Sequence, residues 1–219
     1  QREGDQTLRV WVPGCATGEE AYSVAILLYE QIRKADRLHQ MQIFATDLDE
    51  QAIDVARSGL YSEGIAAGVT PVRLSQYFSR EDGSYRINKK IRDMIVFAVQ
   101  NVVSDPPFTR LDMIVCRNLL IYLDAAAQRR VLQVFHYVLR PGGLLFLGAS
   151  ETPGLCANLF DTVDGKNKIL RRKEVPAQVH PALAAPATPR APGRGAPDQA
   201  PQVCGGAGAG RLIRAMGGV

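Results

Sequence analysis

The residues with chemical potential cluster behind short apolar runs. The β-branched run LRVWV (8–12) passes straight into a small-residue turn, GCATG, framed by Gly14 and Gly18, and then into Glu19 and Glu20. Glycines allow a backbone to approach a ligand closely. A glycine turn after a strand usually receives a phosphate against a helix N-terminus. Here the spacing is not G-x-G-x-x-G, and the two carboxylates repel a pyrophosphate. They suit a ligand that carries positive charge and no phosphate. S-adenosylmethionine, with an ammonium and a sulfonium, is such a ligand. The plainer readings are a tight turn, and first-turn carboxylates that favour the helix dipole. The dipole accounts for one glutamate better than for both.

Two further clusters follow apolar runs. Asp47 ends MQIFATD (41–47), where a carboxylate can accept from both hydroxyls of a ribose. NAD and S-adenosylmethionine share that ribose, so Asp47 speaks for an adenosine ligand without choosing between them. The competing reading is a helix cap, for which Asp49 is better placed. CRNLLIY (116–122) puts Arg117, Asn118 and Tyr122 at the end of another apolar run. A surface ion pair for Arg117 and simple packing for Tyr122 are the alternatives there. SDPPF (104–108) resembles the D-P-P-[YF] motif of enzymes that methylate exocyclic amines of bases, but it follows the third strand of the sheet rather than the fourth. It is read as a connection. His39, His136 and His180 are too scattered to argue for a triad or a metal site.

Composition agrees with a globular catalyst or binding module. Of 219 residues, 46% are hydrophobic and 22% charged, as in ordinary folded domains. A net charge of +4 is too small and too scattered to imply nucleic acid. No apolar run reaches the roughly 18 residues of a membrane span, and no signal peptide is visible. The four cysteines lack C-x-x-C spacing, which argues against zinc and for reduced thiols, hence a cytoplasmic setting. The opening QREGDQTLRV suggests that sequence once preceded it.

These clusters need strands and helices that alternate. Strands are expected at 8–12, 41–47, 94–101, 111–118 and 144–150. Helices are expected at 19–34, with Tyr22, Ala25, Ile26 and Tyr29 on one stripe, and from Asp49 to a stop at Gly59. A third helix at 124–140 is capped by Asp124 and ended by Pro-Gly-Gly. Residues 160–172 read as a hairpin around Asp164-Gly165. Strands apolar on both faces, alternating with helices, give a mostly parallel sheet covered on both sides. Ligands in such sheets bind beyond the carboxyl ends of the strands. Residues 60–93 are too long for an ordinary connection and are read as an inserted subdomain with a short hairpin at Asp82-Gly83. Residues 1–173 form the catalytic domain in this reading. Residues 174–219, rich in Pro, Ala and Gly, are a disordered tail or linker.

GCATGEEAYS, FATDLDEQAIDVARSGLY, IVCRNLLIYLD and LRPGGLLFLGASE, in that order and spacing, closely resemble the chemoreceptor glutamate methyltransferases of bacteria, the CheR family. The resemblance covers about residues 8–172. It implies an α/β class I S-adenosylmethionine-dependent methyltransferase fold, Rossmann-like, with a seven-stranded mostly parallel sheet and a small inserted β-subdomain. It implies methyl esterification of glutamates on receptor cytoplasmic helices, with S-adenosyl-L-methionine as donor. By the same resemblance, Gly14 and Gly18 belong to the cofactor loop. Glu20 contacts the cofactor's amino acid part and Asp47 its ribose, while Asn101 and Val102 border the adenine. Arg117 and Asn118 close the site near the methyl donor. Tyr122 sits beside the transferred methyl group. The wording of 43–61 and 91–123 is most similar to modules in fusions that also carry a methylesterase.

The family also has a preceding helical domain with an N-L-T-x-F-F-R-like segment that helps to complete the site. None of it is in these residues, so turnover by this stretch alone is an open expectation. SREDGSYRIN is shorter than the glycine-containing hairpin of members that tether to a receptor's C-terminal pentapeptide, so no such tether is expected. The alternatives are a non-catalytic methyltransferase-like binding module in a signalling fusion and a base or small-molecule methyltransferase. An NAD-dependent oxidoreductase fits least with the acidic first loop.

Overall fold

The structure, a computed structural model, describes residues 7–35 and 40–175. The first strand β1 (Leu8–Pro13) and the second β2 (Met41–Asp47) flank helix α1 (Glu19–Lys34). Helix α2 (Glu50–Ser58) follows. Its N-terminus is capped by the Asp49 carboxylate, which accepts from the Gln51 and Ala52 N–H groups, and it stops at left-handed Gly59. An insertion comes next: β3 (Leu60–Ser62), α3 (Pro71–Tyr77), β4 (Phe78–Glu81), β5 (Ser84–Ile87) and α4 (Lys89–Arg92). The main sheet resumes with β6 (Ile95–Val99), β7 (Leu111–Cys116), helix α5 (Ala125–Val138), β8 (Leu139–Leu147), β9 (Phe160–Asp164) and β10 (Ile169–Arg172).

The main sheet has seven strands in the order β6-β2-β1-β7-β8-β10-β9. The first five are parallel neighbours, and β10 runs antiparallel between β8 and β9. The chain order reverses at β1 and β7. That reversal leaves a crevice beyond their carboxyl ends, where open α/β sheets bind ligands.

Alternation along each strand makes two cores. Val10 and Val12 of β1, Ile43 and Ala45 of β2, Val115 and Phe146 face α1 and the insertion. Trp11, Phe44, Ile114, Leu145 and Leu147 face α5. Trp11 is fully buried, with its indole N–H donating to Thr46 Oγ1 at 2.9 Å.

The insertion is a three-stranded antiparallel sheet in the order β3-β5-β4, with positive φ at both Asp82 (43°) and Gly83 (75°) in its turn. That pair of angles matches the twist of a two-residue hairpin. Its Tyr61, Tyr77, Ile87 and Ile91 join the core around α1. Consequently α1 is buried on all sides from Ala21 to Leu27, rather than along one stripe. The Tyr22 ring meets the Tyr61 ring edge-on, and its hydroxyl donates to the Ala56 carbonyl at 2.8 Å.

Several expected boundaries shift. Helix α5 is capped by Asp124 as expected but ends at Val138, before Pro-Gly-Gly. Leu139 is 2% exposed and already pairs with Leu111, so burial starts the strand early. Pro-Gly-Gly lies inside β8, where the pairing slips between Leu111 and Met113. Strands β6 and β7 each stop two residues short of the expected ends, and Asn101, Arg117 and Asn118 lie in the loops that follow. Residues 174 and 175 are described, and Val175 packs on the second core. The rest of the expected tail, residues 176–219, lies outside the described residues, as do His39, His180 and Cys204.

Candidate active site

The glycine turn is built by backbone bonds from β2. The Gly14 and Cys15 N–H groups donate to the Thr46 carbonyl at 2.7 and 3.0 Å. Gly14, Ala16 and Gly18 all have positive φ, at 70°, 45° and 93°. At Gly18 a Cβ would lie 2.8 Å from the Ala56 Cβ, so glycine is what lets α1 start against α2. Asp47 ties the next strand to this turn. One carboxylate oxygen accepts from the Ala16 N–H at 2.8 Å, the other from the Asp49 N–H at 3.1 Å. Asp47 is therefore not the cap of α2; Asp49 is.

The adjacent glutamates differ. Glu19 Oε2 accepts from the Thr17 hydroxyl at 2.7 Å at the start of α1, where a carboxylate favours the dipole. Glu20 turns inward. Its side chain is 19% exposed, and Oε2 lies 3.5 Å from the Arg117 guanidinium, itself 17% exposed. Oε1 is buried with no hydrogen-bond partner. Burial, opposed by Arg117 and assisted by Glu151, pushes the Glu20 pKa up to about 7. An orphaned buried carboxylate oxygen is costly unless a donor meets it. A ligand ammonium is such a donor, so this pair fits the cationic amino acid part of S-adenosylmethionine. The Arg117 guanidinium also lies over the Phe146 ring, 5.7 Å from its centroid. This is a partly buried pair across the crevice between the β1 and β7 loops, not a surface ion pair.

The remaining expected residues line adjacent loops. Asn101 closes a turn after β6: its N–H donates to Asp105 and its Oδ1 accepts from the Val103 N–H. The Gln100 N–H, just before it, donates to the Asp47 carbonyl at 2.9 Å, joining this loop to Asp47. Val102 packs on the second core. Asn118 takes a left-handed φ of 57°. Tyr122, at the end of a one-turn 3-10 segment, is 79% exposed, so it does not pack as a helix-start residue. Among the sequence candidates, Glu20 and Arg117 are brought together as an ion pair.

The structure adds groups that the motifs did not single out. Phe108 of SDPPF stacks on Phe44 at 4.2 Å and meets Trp11 edge-on at 5.6 Å. The segment after β6 thus serves the core, as a connection should. The Tyr61 hydroxyl donates to the Thr17 carbonyl at 2.7 Å and braces the glycine turn from the insertion. Glu151, in the loop after β8, is 3% exposed and binds four backbone N–H groups. In the sequence it is the last residue of LRPGGLLFLGASE, a carboxylate just after a strand, to which no role is given. His136, the histidine among the described residues, is buried under the terminal hairpin, with a ring nitrogen 3.0 Å from the Lys173 carbonyl. Burial lowers its pKa.

Known proteins carry the same pattern. The model of the CheR methyltransferase, SAM binding domain, matches residues 1–169. An uncharacterized 104.1 kDa protein of Rhodobacter capsulatus is 45% identical over 74% of this chain and 17% of its own length. Chemotaxis protein methyltransferase 2 of Vibrio cholerae is 35% identical over 71% of this chain and 55% of its own. Chemotaxis protein methyltransferase 1 of Pseudomonas aeruginosa is 36% identical over 68% and 56%. The chain therefore spans about half the length of these chemotaxis methyltransferases and a smaller part of the large protein. A class I sheet with an inserted hairpin, an acidic glycine turn facing Arg117 and a match across nearly all of the described residues lead to one assignment: the chain belongs to the CheR methyltransferase family, in its S-adenosyl-L-methionine-binding domain.

Proposed function

We propose that this chain is the catalytic module of an enzyme that methyl-esterifies glutamate side chains on the cytoplasmic helices of bacterial chemoreceptors. The observation that carries the reading is the Glu20–Arg117 pair, with its orphaned carboxylate oxygen, at the carboxyl ends of β1 and β7.

When bound, S-adenosylmethionine supplies a methyl group on a positively charged sulfur. Glu20 receives its ammonium and Asp47 its ribose hydroxyls. Gly14 and Gly18, both at positive φ, give the first loop the turn that lets its backbone approach the ligand, and Asn101 and Val102 border the adenine. Arg117 and Asn118 close the site beside the donor. The substrate glutamate, with a pKa of about 4.3, is ionised at neutral pH and needs no general base. The chain's work is to align that carboxylate and exclude water. Arg117 orients it, and the exposed Tyr122 fixes its approach.

The catalytic domain, residues 1–173 by the sequence, extends to Val175, which packs on the second core, and 60–93 is its inserted subdomain. The setting in this reading is cytoplasmic, where the receptor helices that it would methylate lie. Nucleic acid and membrane insertion are not part of this function. The test is methylation of receptor fragments by the full-length protein with labelled donor. Alkali-labile methyl incorporation, lost on Arg117→Ala, is the expected result. Cofactor binding without incorporation would make the module a non-catalytic binder.

A further inference from the structure

The Glu151 carboxylate gathers two loops. Oε2 accepts from the Gly148 N–H at 2.7 Å and the Asn118 N–H at 3.1 Å. Oε1 accepts from Leu119 at 3.0 Å and Leu120 at 2.8 Å. Three of these donors are successive amides of the loop after β7, the loop that carries Arg117, Asn118 and Tyr122. Successive N–H groups turned towards one point form an anion-binding concavity. Here the chain fills it with its own carboxylate, 3% exposed. The left-handed φ of Asn118 starts that run of converging amides. At Gly148 a Cβ would lie 2.6 Å from Oε2, so only glycine leaves room for the carboxylate. A buried charge with four donors is well satisfied. A carboxylate is also the acceptor needed: glutamine would turn an NH2 group towards two of the four N–H donors.

We infer that Glu151 is a positioning residue for the transfer site, locking the loop of residues 117–122 to the loop after β8 so that Arg117 is presented to Glu20. This rests on the reading above, in which Glu20 and Arg117 border the cofactor. Glu151 itself touches neither substrate nor cofactor in that reading. It acts through the backbone of Asn118, Leu119 and Leu120.

The test uses the full chain with Glu151→Gln, Arg117→Ala and the double substitution. Amide hydrogen exchange without ligand reads the lock directly. The N–H groups of Gly148, Asn118, Leu119 and Leu120 are expected to be protected, and in Glu151→Gln to lose protection together by about tenfold or more, the amides of β1 and β2 keeping theirs. Titration with S-adenosylhomocysteine reads the consequence. Glu151→Gln is expected to weaken binding about tenfold, but less than about twofold in the Arg117→Ala background, because the two residues act as a unit. Unchanged protection of the four amides, or an equal loss of affinity in both backgrounds, overturns the inference. If the unsubstituted chain fails to bind S-adenosylhomocysteine, the cofactor reading falls, and the exchange result still decides whether Glu151 holds the loop. Should Glu151→Gln not fold, Glu151→Asp, one methylene too short to span both loops, is read in the same way.

Discussion

Glu19 and Glu20 are sequence neighbours, yet Glu19 accepts from the Thr17 hydroxyl at the helix start while Glu20 is driven under the β7 loop against Arg117. Burial raises the Glu20 pKa from 4.5 to about 7, which sets the sign of a pH effect. Below that value the group is mostly neutral and offers an ammonium no countercharge; above it the carboxylate is ionised. Binding of S-adenosylhomocysteine to the full chain should therefore strengthen as pH rises from 6 to 8, and Glu20→Gln should weaken binding and flatten that rise. Calorimetric titrations at several pH values check both. For the chain without ligand the linkage runs the other way. The folded state holds a proton that the unfolded state releases from about pH 4.5 upward, so this group lowers stability as pH rises to about 7. The full cost above that pH is on the order of 3 kcal/mol. Such a cost is of the kind that binding sites commonly carry.

At the scale of elements, close approach matters more than propensity. Helix α1 starts without a side-chain cap, at Gly18 with φ of 93°, where a Cβ would meet Ala56 of α2 at 2.8 Å. Gly18→Ala should destabilise the fold by about 2 kcal/mol or more, through left-handed strain and overpacking together. Urea denaturation of the purified chain measures it. The inserted hairpin makes a different prediction. Strands β4 and β5 have four residues each, joined by the two-residue turn Asp82-Gly83. They offer little edge for strand addition by a peptide. A receptor C-terminal pentapeptide should show no micromolar binding in a titration; such binding would show the hairpin to be long enough for the tether.

At the scale of the molecule, the two faces of the sheet are covered differently. Helices α1 and α2 and the insertion cover one. On the other, the connection from β6 to β7 has no helix, and Phe108 covers Phe44 and Trp11 in its place. Phe108→Ala should lower stability by about 2 kcal/mol, somewhat less than for a fully buried ring, with the loss seen in denaturant midpoint rather than in cofactor affinity. A matching loss of S-adenosylhomocysteine binding would mean that the connection also shapes the site.

Local signals sufficed for much of this molecule. Asp49 and Gly59 bound α2, Asp124 caps α5, and alternation of apolar residues along β1, β2, β7 and β8 makes both faces of the sheet bury. The glycine turn, Asp47 and the 116–122 cluster were legible too, because each follows a strand whose end is written in its own residues. What tertiary structure decided was everything set by neighbours distant in the chain. Which of two adjacent glutamates turns inward depends on Arg117, some hundred residues away. Burial of α1 on all sides depends on Tyr61 and Ile91 of the insertion, and the early start of β8 depends on Leu139 meeting Leu111. Glu151 looks like an ordinary loop carboxylate until the amides of another loop converge on it. Periodicity and capping act over a few residues; desolvation and hydrogen-bond partnership are set only when the chain closes on itself.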